Sequence, residues 1–234
     1  MTDPNTHPAP LSAGDSERFV LPPDAPLLAN LAALWLTDAK LAAAIEATDG
    51  RPSYACEPSK SGVPTLAVPS SDGGTLRLHS RYQPIDEAKE LIGSARVDDR
   101  AAFYVQGFGL GYHVEQLFDA ASDESIILVI ESDLLMLRTA FERRDYSRLI
   151  ETGRLIWCWQ ADKATLFTQL QPHIALVTMG FEPVAHAPSV QRSAEFHAQV
   201  KTFIGEFEAY ARTTINTLVL NSKRTAENLS LIHI

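Results

Sequence analysis

Three glycines alternate in Gly107-Phe108-Gly109-Leu110-Gly111, directly after the apolar run Ala102-Phe103-Tyr104-Val105-Gln106 and directly before a helix-like segment opened by Tyr112 and His113. That order of residue types suits a nucleotide-type ligand. Glycine lets the backbone take positive φ and lets a phosphate or ribose approach bare main chain, while the helix that follows offers unpaired N–H groups and a positive dipole end. A second apolar run, Ile126-Ile127-Leu128-Val129-Ile130, ends in Glu131, 20 residues after Gly111, where a carboxylate suits ribose hydroxyls. Two readings of each feature stay open. The glycines fit either a ligand cradle or a tight strand-to-helix connection, and Glu131 fits either a ribose contact or a helix cap shared with Ser132 and Asp133. The spacing is GxGxG, and Tyr112 stands where a dinucleotide motif would place its third glycine, so NAD is disfavoured.

Other chemistry-bearing residues are sparser. His79 and Arg81 close a strand-like run and fit either an ordinary strand-end histidine and surface arginine or a pair facing an anionic sugar, since a guanidinium makes a two-pronged contact with carboxylate or phosphate. His113, in the first turn after the glycines, is close enough to touch whatever sits there, but reads first as a helix-surface histidine. His7, His173, His186, His197 and His233 lack HExxH or other ligand spacing, so no metal site is read. No GxSxG elbow is present, and Cys158 lies inside an apolar run, where a thiol is usually inert core. Ser59-Lys60-Ser61-Gly62 lacks a phosphate-loop frame and reads as a hairpin turn. Asp98-Asp99 and Glu206 with Glu208 read as solvated carboxylates.

The elements that must position these residues follow from periodicity. Residues 1–24 are rich in Pro, Ser, Asp and Thr and read as a disordered leader, without the basic and apolar regions of a signal peptide. A helix is expected over about Ala25 to Thr48, interrupted by Asp38 and Lys40. Short runs at Tyr54–Glu57, Thr65–Val68 and Thr75–His79 form a small antiparallel meander. With a connecting helix that Pro84 opens, these make an N-terminal α+β cap over 25–97. Over 98–185 the pattern alternates: strands at Ala102–Gln106, Ile126–Glu131, Arg154–Cys158 and Ile174–Thr178, with helices at Gly111–Ala120, Leu134–Arg143 and Lys163–Gln171 between them. Continuous apolar strands alternating with helices mean a parallel sheet covered on both faces, a Rossmann-like α/β domain. Residues 186–234 form a long helix from about Val190, striped by Val200, Phe203, Ile204, Phe207, Ala211, Thr214, Ile215 and Leu218. No cap follows Asn228-Leu229-Ser230-Leu231-Ile232-His233-Ile234, so the expectation is a truncated chain whose helix leads on to a missing domain.

Composition narrows the function classes. The chain has 234 residues, is 45% hydrophobic and 21% charged, and carries a formal charge of −9, with no basic stripe to follow nucleic-acid phosphates. No stretch reads as a membrane span. Cys56 and Cys158, far apart and outside any CxxC spacing, imply neither a disulfide framework nor a zinc knuckle, and a reducing, cytoplasmic setting is expected.

Several blocks together resemble the N-terminal region of the bacterial motility-associated factor (Maf) glycosyltransferases. They are Pro58-Ser59-Lys60-Ser61-Gly62-Val63-Pro64-Thr65-Leu66, Leu78-His79-Ser80-Arg81-Tyr82-Gln83-Pro84, the glycine segment through His113, Val129-Ile130-Glu131-Ser132-Asp133, and Asn216-Thr217-Leu218 with Asn221. They run from about Pro22 to Asn228, and the terminal Leu-Ser-Leu-Ile-His-Ile departs from the pattern. The resemblance implies a protein that transfers a CMP-activated nonulosonic acid, of the pseudaminic or legionaminic type, to Ser or Thr of flagellin. It also implies that catalysis lies in a domain beyond this region, so that no catalytic residue is assigned here and the fragment alone is inactive. No cofactor of the fragment itself is assigned. The GxGxG turn with an acidic strand end also looks like class I methyltransferases that bind S-adenosylmethionine, although no Asn/Asp-Pro-Pro-Tyr block accompanies it. A non-catalytic scaffold or docking domain is the third reading.

Overall fold

A computed structural model of the chain describes residues 26–69 and 73–232, and the side chains of residues beyond 224 stand outside the description. The leader predicted for residues 1–24 lies outside the described residues.

The first predicted helix is two. α1 (Pro26–Thr37) and α2 (Ala39–Glu46) meet at Asp38, whose carboxylate accepts the Leu41 amide at 3.0 Å and so caps α2. An aspartate that can capture a free first-turn donor favours a new helix start over continuation. Three short strands follow, β1 (Cys56–Pro58), β2 (Pro64–Pro69) and β3 (Thr75–Arg77), antiparallel in the order β1-β2-β3 with Cys56 opposite Leu66 and Ala67 opposite Arg77. α3 (Pro84–Gly93) opens on proline with Asp86 and Glu87 in its first turn, as the sequence implies.

The rest alternates strand and helix. β4 (Ala102–Gln106) leads through the glycines into α4 (Tyr112–Ala120), β5 (Ile126–Ile130) into α5 (Leu134–Arg143) and the short α6 (Ser147–Glu151), and β6 (Leu155–Cys158) into α7 (Lys163–Leu170). A 3-10 turn over Gln171–His173 continues into α8 (Ile174–Val177), before β7 (Glu182–Ala185), α9 (Ala187–Arg192) and the long α10 (Ala194–Ile232). The segment Ile174–Thr178, expected as the fourth strand, is therefore a helical turn over Ile174–Val177 capped by Thr178. Four apolar residues carry no periodicity that separates strand from helix, and this run extends the turn that Pro172 begins. The true fourth strand holds Glu182 and Pro183, which hid it. It lies at the sheet edge, where a missing amide donor is tolerated, and only its Val184 is buried.

The four strands are all parallel in the order β6-β5-β4-β7. Alternate residues serve opposite cores, which is why β4, β5 and β6 read as unbroken apolar runs. Phe103, Val105, Ile127, Val129, Leu155, Trp157 and Val184 face one side, in a core continuous with Leu34, Leu41 and Ile45 of the first two helices and with Leu66 and Val68 of the meander. Ala102, Tyr104, Ile126, Leu128, Ile130, Ile156 and Cys158 face the other, against Leu166, Leu170, Val177, Val200, Ile204, Phe207 and Ala211. The stripe on α10 is thus buried as far as Ala211, while Leu218, Val219 and Leu220 are about 60% exposed. Among the described residues, no helix is long and apolar enough to cross a membrane.

Asn30 ties the first core together. Fully buried in α1, it donates from Nδ2 to the carbonyls of Phe141 and Arg144, at 3.2 and 2.8 Å, and its Oδ1 accepts the Tyr146 amide at 2.6 Å. One side chain thereby satisfies the end of α5 and the start of α6, groups a helix cannot pair internally.

Candidate functional site

In a parallel sheet of this order, the crevice for a ligand opens beyond the carboxyl ends of the strands where the winding reverses, here between β4 and β7. Gly107, Gly109 and Gly111 sit there with φ of 94°, 53° and 74°. All three are left-handed, as the glycine spacing implies. The Gly107 amide continues the sheet ladder to the Ile130 carbonyl at 2.8 Å, and Gly111 is the N-cap of α4.

The chain's own side chains close around this turn. The Phe108 amide donates to Glu131 Oε2 at 3.0 Å, and the Leu110 amide to His79 Nε2 at 2.8 Å. His113 Nε2 lies 2.8 Å from the Gly107 carbonyl oxygen, and the Tyr146 hydroxyl donates to the Leu110 carbonyl. Tyr112 leaves the turn and donates to the Pro64 carbonyl of the meander at 2.8 Å. The Phe108 ring is buried among Phe141, Tyr146 and Trp157, with centroids 5.4 to 6.0 Å away.

Each glycine is also sterically required. A Cβ at Gly109 would lie 2.7 Å from His79 Nε2, and one at Gly111 would lie 2.6 Å from the Tyr146 hydroxyl. At Gly107 it would overlap the Cβ of Ser189, which α9 brings over the turn.

Three imidazoles stack beside the turn. His186 lies between the others, 5.0 Å from His79 and 4.7 Å from His113 by ring centroids, with interplanar angles of 24° and 15°. His186 Nδ1 also meets the Ser189 hydroxyl at 2.7 Å. All three rings are buried, and burial disfavours their charged forms. Desolvation, with repulsion from His186 and His113, holds His79 well below the usual imidazole range. Desolvation brings His113 down to about 4, against the opposing Gly107 carbonyl, and His186 down to about 3. A neutral His79 is what its hydrogen bond needs, because His79 Nε2 must be unprotonated to accept the Leu110 amide. Among the described residues no group of three or more His, Cys, Asp or Glu side chains is arranged to hold a metal ion.

Glu131 is equally committed. Its Oε1 accepts the Asp133 amide at 3.0 Å while Oε2 holds Phe108, and burial raises its pKa against these two stabilising bonds. Asp133 caps α5 through the Leu135 and Met136 amides, accepts the Tyr54 hydroxyl at 2.8 Å, and pairs with Arg192. Burial likewise pushes the Cys158 thiol up to about 12, in keeping with a core thiol.

The structure thus gathers Gly107, Gly109, Gly111, Tyr112, His113, His79 and Glu131 around one turn, and separates Arg81 from them. Arg81 lines a different cavity of about 400 Å³ with Glu57, Pro58, Ser59, Lys60, Thr65 and Tyr82. Sequence reasoning missed Ser189, His186 and Tyr146 as partners of the turn. Each comes from an element far along the chain, and none carries a spacing signal.

The fold has a counterpart. Over 79% of its length the chain superposes on the Maf glycosyltransferase from Magnetospirillum magneticum AMB-1, with a TM-score of 0.53 and 13% sequence identity. The fold is Maf glycosyltransferase-like. The chain spans 35% of the length of that Maf structure. No protein-family model and no curated protein matches the sequence.

Proposed function

We propose that this chain is the Rossmann-like accessory module of a Maf-type protein that transfers a CMP-activated nonulosonic acid, pseudaminic or legionaminic in type, to Ser or Thr of flagellin in the cytoplasm. The observation that carries the reading is the Maf-like fold over 79% of the chain, joined to the sequence blocks that meet at its glycine turn. In this reading the module is a scaffold, and transfer takes place in a further domain of the complete protein.

The turn itself favours bracing over nucleotide binding. Its Phe108 and Leu110 amides, which a phosphate would need, are held by Glu131 and His79. Gly107, Gly109 and Gly111 are accounted for by Ser189, His79 and Tyr146 pressing on them. The shape of a nucleotide-binding turn is kept while its donors serve the fold.

The test is co-expression of the complete protein with flagellin in cells that make a CMP-nonulosonic acid, read by intact mass of the flagellin. Addition of nonulosonic acid residues is expected with the complete protein, and none with this chain alone. Unmodified flagellin with the complete protein would sink the transferase reading. Calorimetry of this chain against CMP-sugar and S-adenosylmethionine checks the bracing role, for which silence with both is expected; heat with S-adenosylmethionine would favour a methyltransferase-like site instead.

A further inference from the structure

The cavity beside Arg81 has a construction of its own. The β1–β2 hairpin turns through Gly62, at φ 86°, closed by the Ser59 amide on the Val63 carbonyl at 2.9 Å and the Gly62 amide on the Ser59 carbonyl at 3.0 Å. The segment after β3 is then joined to this turn by two main-chain bonds. The Lys60 amide donates to the Arg81 carbonyl at 2.8 Å and the Ser61 amide to the Tyr82 carbonyl at 3.1 Å. Lys60 and Arg81 are therefore placed together by backbone, not by the flexibility of their side chains.

Their charges are left open. Both side chains are exposed, and neither forms an ion pair with another described residue. Lys60 Nζ stands 4.3 Å from the centroid of the Tyr82 ring, a contact that orients the ammonium without neutralising it. The one carboxylate on the rim, Glu57, is within 3.8 Å of Arg77. Two cations held on one concave surface by main-chain bonds repel each other unless an anion joins them.

The remaining lining narrows the class of anion. The Ser59 hydroxyl, 2.9 Å from that of Ser61, supplies a neutral polar group, Glu57 accepts hydroxyl donors, and Tyr82, 58% exposed, adds an aromatic side chain to the lining. A space of about 400 Å³ falls in the size range of sites for single small ligands. We propose that this Lys60–Arg81 pocket binds a small anionic saccharide, a sugar bearing a carboxylate or a phosphate. The cations take the anionic group, Glu57 and Ser59 the hydroxyls, and Tyr82 the apolar face of the ring. The pocket shares no lining residue with Gly107–Gly111, so this assignment stands apart from the transferase reading and from its flagellin test.

The experiment is a nuclear magnetic resonance titration of the full chain, with affinities from the shift curves, using glucuronate, glucose 6-phosphate, glucose and inorganic phosphate as separate probes. Saturable shifts confined to the amides of residues 59–62 and 81–82 are expected with glucuronate or glucose 6-phosphate, and whichever binds tighter identifies the anionic group. Glucose and inorganic phosphate should each bind at least about tenfold more weakly, because each lacks one half of the recognition. Lys60→Gln and Arg81→Gln should each weaken the tighter anionic sugar by about tenfold, with unchanged circular dichroism, since both side chains are on the surface. Absence of shifts with both anionic sugars, equal binding of inorganic phosphate or of glucose, or affinities that survive both substitutions would each overturn the proposal.

Discussion

His79 Nε2 accepts the amide of Leu110 at 2.8 Å, so a residue from the end of the meander supplies a hydrogen bond that a bound phosphate would otherwise make to the glycine turn. The same ring lies where a side chain at Gly109 would go, which makes the bond and the glycine mutually dependent. The turn is consequently a joint between the meander, the sheet and α9.

The three turn glycines should be far less replaceable than glycines in open turns. Gly107→Ala places a Cβ onto Ser189, whose own Cβ is tied to backbone and cannot swing away. Gly153→Ala, at φ 70°, meets nothing within 4 Å and bears only the left-handed strain of about 1–2 kcal/mol. Urea unfolding should therefore show Gly107→Ala to be destabilised by at least about 2 kcal/mol more than Gly153→Ala. Equal losses would mean that Ser189 does not press on the turn.

Stability should fall with acidification through the histidine stack. The folded pKa values of His113 and His186, about 4 and about 3, lie below the ordinary imidazole value of 6.5, so below pH 6.5 the unfolded chain binds protons that the folded chain refuses. This contribution is fully present above pH 6.5 and is lost progressively as pH falls toward 3. Glu131, whose pKa is raised by burial, acts in the opposite sense as pH rises past the ordinary carboxylate range. The urea midpoint of His186→Phe should depend less on pH between 6.5 and 4 than that of the parent chain; an unchanged slope would show that His186 is not a neutral buried ring.

Asn30→Leu keeps the approximate volume but leaves the Phe141 and Arg144 carbonyls and the Tyr146 amide without their partner. Burying such groups unpaired costs about 1–3 kcal/mol each, so a total loss of about 3 kcal/mol or more is expected by chemical denaturation. A change under about 1 kcal/mol would mean that water replaces the amide.

The two parts of α10 should respond differently to substitution. Phe207→Ala empties a fully buried position against the sheet and should cost about 3–5 kcal/mol. Leu218→Asp and Val219→Ser alter exposed positions and should change stability by no more than about 0.5 kcal/mol in this chain. Thermal melts of the single variants decide the matter, and a large loss at Leu218 would place that side chain in a packed interface.

Much of this architecture was legible in the chain. The apolar runs of β4, β5 and β6, the Pro84 helix start, the glycine turn and the period of α10 are local signals that the structure bears out. The misread parts were those in which local pattern and tertiary setting disagree. Asp38 split a helix because its carboxylate found a capping donor. Ile174–Val177 is apolar enough for a strand but continues a turn, and Glu182–Ala185 is polar enough for a loop yet completes the sheet at its edge.

For the candidate site, the sequence by itself determined which backbone could turn. Gly107, Gly109 and Gly111 adopt positive φ because nothing else does so cheaply, and Glu131 ends the next strand by its spacing. What presses against that turn was decided only by the tertiary structure. His79 follows the meander, His186 and Ser189 come from the N-cap and first turn of α9, and Tyr146 is the N-cap of α6. They arrive across separations that carry no periodic signal, and their side chains take the turn's polar groups and its open space. The same packing parted His79 from Arg81, two residues apart in the chain, sending one into the core and the other to a basic pocket. Residue type limits what a backbone can do, while the partner of a polar group depends on which elements the core brings together.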